Sequence, residues 1–188
     1  MRLKELATIQ TGVYRKNAPM PDTYYLQVND FEEDGTLRSA IQPTTFADKK
    51  TARHLLTAND LLLAAKGDKN FCTTAPVYIG QCIASPSFLI IRINNPDCVL
   101  PEYVSGFLNL STTRQLLKVQ SKGTSITSLS KSDLEELEIP LLPLDRQRAC
   151  IALTRLQCRE QVIYKDIAER RKQIIDYKLT KAYKKDER

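Results

Sequence analysis

One histidine, five cysteines and 22 carboxylates are the side chains of this 188-residue chain that could move a proton, hold a metal or attack a substrate. His54 stands beside Arg53 with no second histidine in the sequence. A histidine metal set therefore cannot form, and a nucleophile–histidine triad would rest on this one residue, which reads as structural or solvent-facing. Cys72, Cys82, Cys98, Cys150 and Cys158 are odd in number and contain no C-x-x-C pair. Neither a disulfide framework nor a zinc site follows, and reduced thiols in a cytoplasm fit best. The carboxylates make no D-x-D or H-E-x-x-H set, and Pro96-Asp97 followed by Glu102-Tyr103-Val104 lacks the lysine of a Pro-Asp…Glu-x-Lys nuclease arrangement. Glycine-rich phosphate loops, G-x-S-x-G and the Asp-Pro-Pro-Tyr type of amino-methyltransferase signature are missing from the sequence too. The expectation is a chain with no catalytic residue, no metal ligand and no cofactor.

What the sequence offers instead is recognition chemistry. Three breaker-rich segments carry cations, amides and hydroxyls: Tyr14-Arg15-Lys16-Asn17, Lys66-Gly67-Asp68-Lys69-Asn70, and Lys122-Gly123-Thr124-Ser125. Arginine and lysine read guanine edges or hold phosphates, asparagine pairs with adenine, and loop hydroxyls and amides grip phosphate oxygens. The residues expected at DNA are thus Tyr14, Arg15, Lys16, Asn17, Lys66, Lys69, Asn70, Lys122, Thr124 and Ser125. Solvated charged loops have the same composition, so composition alone does not choose between the two readings. Charge is distributed unevenly: residues 1–143 hold 15 basic and 15 acidic side chains, so the whole net charge of +6 resides in residues 144–188. A basic terminal helix can track phosphate, and it can equally be a solvated face.

The elements that must carry these loops are legible in outline. Leu3, Leu6 and Ile9 lie on one stripe, which predicts a short helix ending before Gly12. Residues 24–29 alternate as a strand, and Asp34-Gly35 signals a turn. The apolar run 60–65 reads as a buried strand, and 77–79 and 88–93 as two more. Pro101 opens a helix carrying Tyr103, Phe107 and Leu108, and Ser111 could cap another with Leu116, Leu117 and Val119. Ser130 has capping-box spacing before Leu134 and Leu137, and the proline-bounded stretch 137–143 is extended at the domain margin. The fold expected is an α+β (mixed α/β) domain over residues 1–143. No apolar run approaches the roughly 18 residues of a membrane span. The charged, amphipathic start at Met1 is unlike a signal peptide, so a soluble cytoplasmic protein is expected.

From Asp145, a plausible N-cap, 44 residues run to Arg188 without Gly or Pro, which predicts one long coiled-coil helix over residues 144–188. Leu153, Leu156, Glu160, Ile163, Ile167, Arg170, Ile174 and Tyr177 recur at alternating spacings of three and four, as a coiled-coil seam does. A long basic helix needs a partner for such a face. The seam is symmetric about Lys165, and its two polar positions, Glu160 and Arg170, are opposite in charge and mirror each other. That pairing suits an antiparallel homodimer, with each Glu160 meeting the partner's Arg170. A helix folded back on its own domain, or packed on a different protein, is the competing reading, and off-seam Ile151, Val162 and Ile175 leave room for it.

The stretch from Gly123-Thr124 through Ile139-Pro140-Leu141-Leu142-Pro143-Leu144 to Asp145-Arg146-Gln147 resembles the end of a target-recognition domain from type I restriction-modification specificity subunits. That pattern runs Gly-Thr, a short helix, Ile-Pro-Leu-Pro-Pro-Leu, Glu-Gln and a long helix. Here Leu142 replaces the first proline of the pair and Arg146 the usual glutamate. Leu3 to Gly12, Asp34-Gly35, Asn59-Asp60-Leu61-Leu62 and Pro101-Glu102-Tyr103 follow the same family's order more loosely. The resemblance implies a non-catalytic subunit in which a target-recognition domain reads part of a bipartite duplex sequence. It further implies that DNA methyltransferase subunits dock on the long helices and that a motor-nuclease subunit joins for cleavage. Full subunits have two such domains and two such helices, and this chain has one of each, so the expectation is a half-subunit that dimerises. A dimeric adaptor that holds methyltransferase subunits without defined sequence specificity is the alternative.

Overall fold

The computed structural model describes residues 1–48, 51–67, 69–120 and 129–183. It divides into two compact units, Met1–Arg148 and Ala149–Arg188.

The first unit is built on a four-stranded antiparallel sheet. Its strands are β1 (Ala7–Thr11), β3 (Asp60–Ala64), β4 (Cys72–Thr74) and β6 (Phe88–Ile93), in the order β1-β6-β3-β4. The remaining two, β2 (Tyr24–Leu26) and β5 (Cys82–Ala84), pair in parallel as a small second sheet. Strand β3 is buried at every position, as its uninterrupted apolar run requires once both faces are covered. One face, with Leu62, Ala64, Phe88 and Ile90, joins Leu26, Cys82 and Ala84 of the small sheet in a single core. Phe31, Phe71 and Phe88 pack at its centre with ring centroids 5.3–6.0 Å apart, in tilted and edge-on arrangements favoured by the aromatic quadrupole.

Helices α1 (Leu3–Leu6), α2 (Pro101–Asn109), α3 (Ser111–Gln120) and α4 (Lys131–Glu135) complete this unit. Helix α2 covers the exposed edge of the sheet. Asn109 accepts from the Cys72 amide at 2.9 Å and donates to the Cys72 carbonyl at 2.7 Å, while Ser105 donates to the same carbonyl at 2.9 Å. The outward amide and carbonyl of Cys72 are thereby satisfied. Pro101 at the first turn of α2 supplies a pre-set φ and no surplus N–H. Ser130 caps α4, its Oγ accepting from the Asp133 amide at 3.1 Å, as the capping-box spacing predicts. Helix α5 (Leu144–Tyr183) begins here and continues as the second unit.

Several expectations are corrected. The helix at the N-terminus is one turn only, because Ala7 and Ile9 alternate into the core as strand residues. Residues 24–29 are a three-residue strand followed by a 3-10 turn, Val28–Asp30. Val77–Ile79 is a 3-10 turn instead of a strand, bounded by Pro76 and by Gly80 at φ 132°, with Tyr78 81% exposed. Strands β4 and β5 were not anticipated. Leu144, one residue before the expected cap, opens α5 and places Asp145 inside the first turn. The break expected at Lys122-Gly123-Thr124-Ser125 lies outside the described residues.

Candidate nucleic-acid interface

Antiparallel pairing brings separated loops together. Both β1 and β3 run against the β6 that lies between them, so both finish beside the start of β6, with Thr11 opposite Leu89 and Ala64 opposite Phe88. The loop carrying Tyr14 leaves at that end: the Gly12 amide donates to the Phe88 carbonyl at 3.1 Å and the Val13 amide to Ala84 at 2.9 Å. The loop carrying Lys66 leaves there too, with the Ala65 amide on the Ser87 carbonyl at 2.9 Å. Lys122, Thr124 and Ser125 lie outside the described residues, yet the chain re-emerges at Leu129 with its amide on the Ala65 carbonyl at 3.0 Å. Two of the three composition-selected loops therefore start, and the third segment is followed, within a few residues of one sheet end.

Gly12 makes this geometry possible. A Cβ there would sit 2.1 Å from the Ser85 carbonyl oxygen and 2.5 Å from that of Ala84. Only a residue without a side chain lets the β1 exit approach the β5–β6 connection so closely.

The ten residues expected at DNA divide by environment. Tyr14 is 71% exposed, and Lys16, Asn17, Lys66 and Asn70 are exposed as well. Arg15 differs: its guanidinium donates to the Phe46 carbonyl at 2.8 Å and pairs with Asp48 at 3.3 Å. Lys69 is half-buried, and its ammonium donates to the Phe31 carbonyl. The exposed groups combine cationic and amide donors with one aromatic ring, a set suited to phosphate oxygens and base edges.

Reactive groups are placed less favourably for chemistry. Burial pushes the Cys72 thiol up to about 12 and the Cys82 thiol to about 11, so neither is a thiolate at neutral pH. Burial, with neighbouring Arg53, holds His54 below the usual histidine range. Among the described residues, no group of three or more His, Cys, Asp or Glu is placed to hold a metal. Among the described residues no helix is long and apolar enough to cross a membrane.

Gln147 is the residue whose importance sequence reasoning missed. It is fully buried in the first turn of α5. Its amide donates to the Cys98 carbonyl at 2.9 Å and the Leu142 carbonyl at 2.8 Å, while its oxygen accepts from the Leu100 amide at 2.9 Å. The residue ties the approach to α2, the extended stretch before α5 and the start of α5 into one knot. The available signal was its place in the Asp145-Arg146-Gln147 motif, which carried no physical role by itself.

In the second unit α5 runs with its apolar seam uncovered. Leu153, Leu156, Ile163, Ile167, Ile174 and Tyr177 are all exposed, from 41% at Ile167 to 68% at Leu153 and Tyr177. Glu160 and Arg170 lie on the same seam and are exposed too.

No protein-family model matches the chain, and no curated protein matches it. Solved structures do. The S subunit of a type I restriction-modification system from M. genitalium superposes with TM-score 0.56 over 83% of this chain at 15% identity. A chain from a study of complex assembly and conformational transition in the type I R-M system gives TM-score 0.63 over 90% at 22% identity. The HsdS subunit of Thermoanaerobacter tengcongensis gives 0.55 over 87% at 21% identity. This chain spans 37–44% of the length of those three. Its fold, a mixed α/β domain followed by a long helix, is the fold of these type I restriction-modification subunits, as the sequence resemblance led us to expect.

Proposed function

We propose that the chain is a DNA sequence-recognition subunit of a type I restriction-modification system, without chemistry of its own. The observation that carries this reading is the likeness in fold of 83–87% of the chain to two S subunits. In this reading, residues 1–143 are the target-recognition domain. The loops leaving one end of its sheet contact duplex DNA, with Tyr14, Lys16, Asn17, Lys66 and Asn70 as exposed contacts and Lys122, Thr124 and Ser125 contributed by the third segment.

Residues 144–188 are the dimerisation and spacer helix. Two copies pair antiparallel about Lys165, burying Ile163 against Ile167 and setting Glu160 against Arg170 of the other copy. The seam from Leu153 to Tyr177 is about 36 Å long at 1.5 Å per residue. Exposed apolar side chains in register along a helix of that length support an assembly role, because a lone helix gains nothing from displaying them. Identical domains related by a two-fold axis read identical half-sites on opposite strands, so the target is a palindrome interrupted by a spacer. DNA methyltransferase subunits, and a motor-nuclease subunit where cleavage occurs, dock on this assembly.

Competition binding at fixed salt tests the reading against the adaptor alternative. A recognition subunit holds its selected duplex at least 1,000-fold more tightly than a scrambled one, within the range usual for specific binders. Equal affinity for both would leave only a charge-driven adaptor.

A further inference from the structure

We infer that Arg15 is a positioning residue, which clamps the Tyr14–Asn17 loop onto the segment around Asp48 and leaves its neighbours to meet the DNA. The inference rests on the reading of that loop as a DNA contact and assigns the roles within it.

Burial separates Arg15 from its neighbours. Its side chain is only 21% exposed, against 71% for Tyr14 as a residue. Its Nε is buried with no acceptor among the described residues, so that edge of the guanidinium is turned away from solvent. Its Nη2 reaches two acceptors on one segment, the Phe46 carbonyl and the Asp48 carboxylate. An arginine poised for phosphate or guanine presents a free fork. Here Nη2 is spent on the protein's own acceptors, and a carboxylate beside it offsets the guanidinium charge.

Asp48 is itself fixed. Its Oδ1 accepts from the Thr51 amide and the Thr51 hydroxyl, both at 2.8 Å, and its own amide donates back to that hydroxyl at 2.9 Å. Thr51 is buried and leads into the 3-10 turn Ala52–His54. The carboxylate that meets Arg15 is therefore itself hydrogen-bonded to a buried residue. Two more ties run between the loop and its neighbours: the Lys16 carbonyl accepts from Thr45 Oγ1 at 3.1 Å, and the Ala18 amide donates to the Thr44 carbonyl at 2.9 Å. Arg15 supplies the charged member of this set. Its removal frees the loop to sample conformations in which Tyr14, Lys16 and Asn17 no longer hold a common orientation.

The test measures Arg15→Gln, Asp48→Asn and the double variant on a duplex recovered from random sequence and on its scrambled counterpart, over a range of salt. A clamp predicts that each single variant loses about tenfold in preference for the recovered duplex. The double variant should lose no more than either single one, because both remove the same bond. The slope of log affinity against log salt should stay at its wild-type value, since no phosphate contact is lost. The reversed pair, Arg15→Asp with Asp48→Arg, should recover part of the discrimination. Amide hydrogen exchange at Ala18, whose amide is bonded to the Thr44 carbonyl, should quicken in both single variants without DNA present. A fall in salt slope of about 0.9 per half-site in Arg15→Gln, with tighter binding by Asp48→Asn, would make Arg15 a phosphate contact and overturn the inference alone. Wild-type protein with no preference for any duplex would overturn the recognition reading, and this inference with it.

Discussion

Replacing Gln147 should unfasten the start of the long helix at a cost that its contacts fix in advance. The side chain is wholly buried and makes three hydrogen bonds of 2.8–2.9 Å, donating to Cys98 and Leu142 and accepting from Leu100. Gln147→Leu keeps the approximate volume and strands two carbonyls and one amide where water cannot easily reach. Each unsatisfied buried group costs about 1–3 kcal/mol. Some relaxation and the gain of an apolar side chain offset part of this, leaving a net loss of about 3 kcal/mol. For a domain of this size that lowers the melting temperature by roughly 6–12 °C. Gln147→Glu is the sharper probe: it still accepts from Leu100 but sets a carboxylate oxygen against the Cys98 and Leu142 carbonyls. It should destabilise at least as much at pH 7, and the loss should shrink on acidification as the buried carboxyl takes up a proton. Urea unfolding followed by tyrosine signals, in a chain with eight tyrosines and no tryptophan, measures both. A Gln147→Leu protein within 0.5 kcal/mol of wild type would refute the reasoning, since the three bonds would then contribute nothing net.

Three further outcomes follow from the same structure. Gly12→Ala forces a Cβ into the Ser85 and Ala84 carbonyls and should cost roughly 3 kcal/mol or more in urea unfolding; an unchanged midpoint would mean that the close approach is not maintained. Glu160→Arg places two like-charged pairs at the proposed dimer seam and should weaken association at least tenfold by sedimentation, with Glu160→Arg/Arg170→Glu restoring it; a single variant that stays fully dimeric rules out this register. Thr51, and then Arg15, hold Asp48 below the ordinary carboxylate range; Lys4, and then Arg2, do so for Glu136; and burial lowers His54. All three are depressed in the folded state, so the stability they contribute is present at higher pH and lost as pH falls. The loss should begin below the ordinary histidine value of 6.5 and steepen below the ordinary values of 4.5 for Glu136 and 3.8 for Asp48. His54→Gln should remove the upper part, and a rise in stability from pH 7 to 5 would contradict the assignment.

Long or strongly punctuated elements were readable from the sequence. The apolar run of β3, the six residues of β6, the Asp34-Gly35 turn with Gly35 at φ 85°, the Pro101 start of α2 and the Ser130 cap each express a local rule. Elements held by distant partners were not. Strands β4 and β5 have three residues each, too few for alternation to register, and exist because Leu61–Leu63 and the residues of β2 pair with them. Leu3, Leu6 and Ile9 fit a helical stripe, but Ile9 is buried as the partner of Ile91. At the candidate site, composition selected loops of suitable chemistry. It could not foresee that antiparallel pairing brings two of them out at one sheet end, nor that Arg15 and Lys69 turn their charges inward, because both facts depend on residues dozens of positions away.

Selection of duplexes from a random-sequence pool by the purified full chain tests the central claim most directly. One short motif and its inverted repeat, separated by a spacer of fixed length, should be recovered. Two unrelated half-sites, a single undivided motif or a pool with no enrichment would contradict that claim.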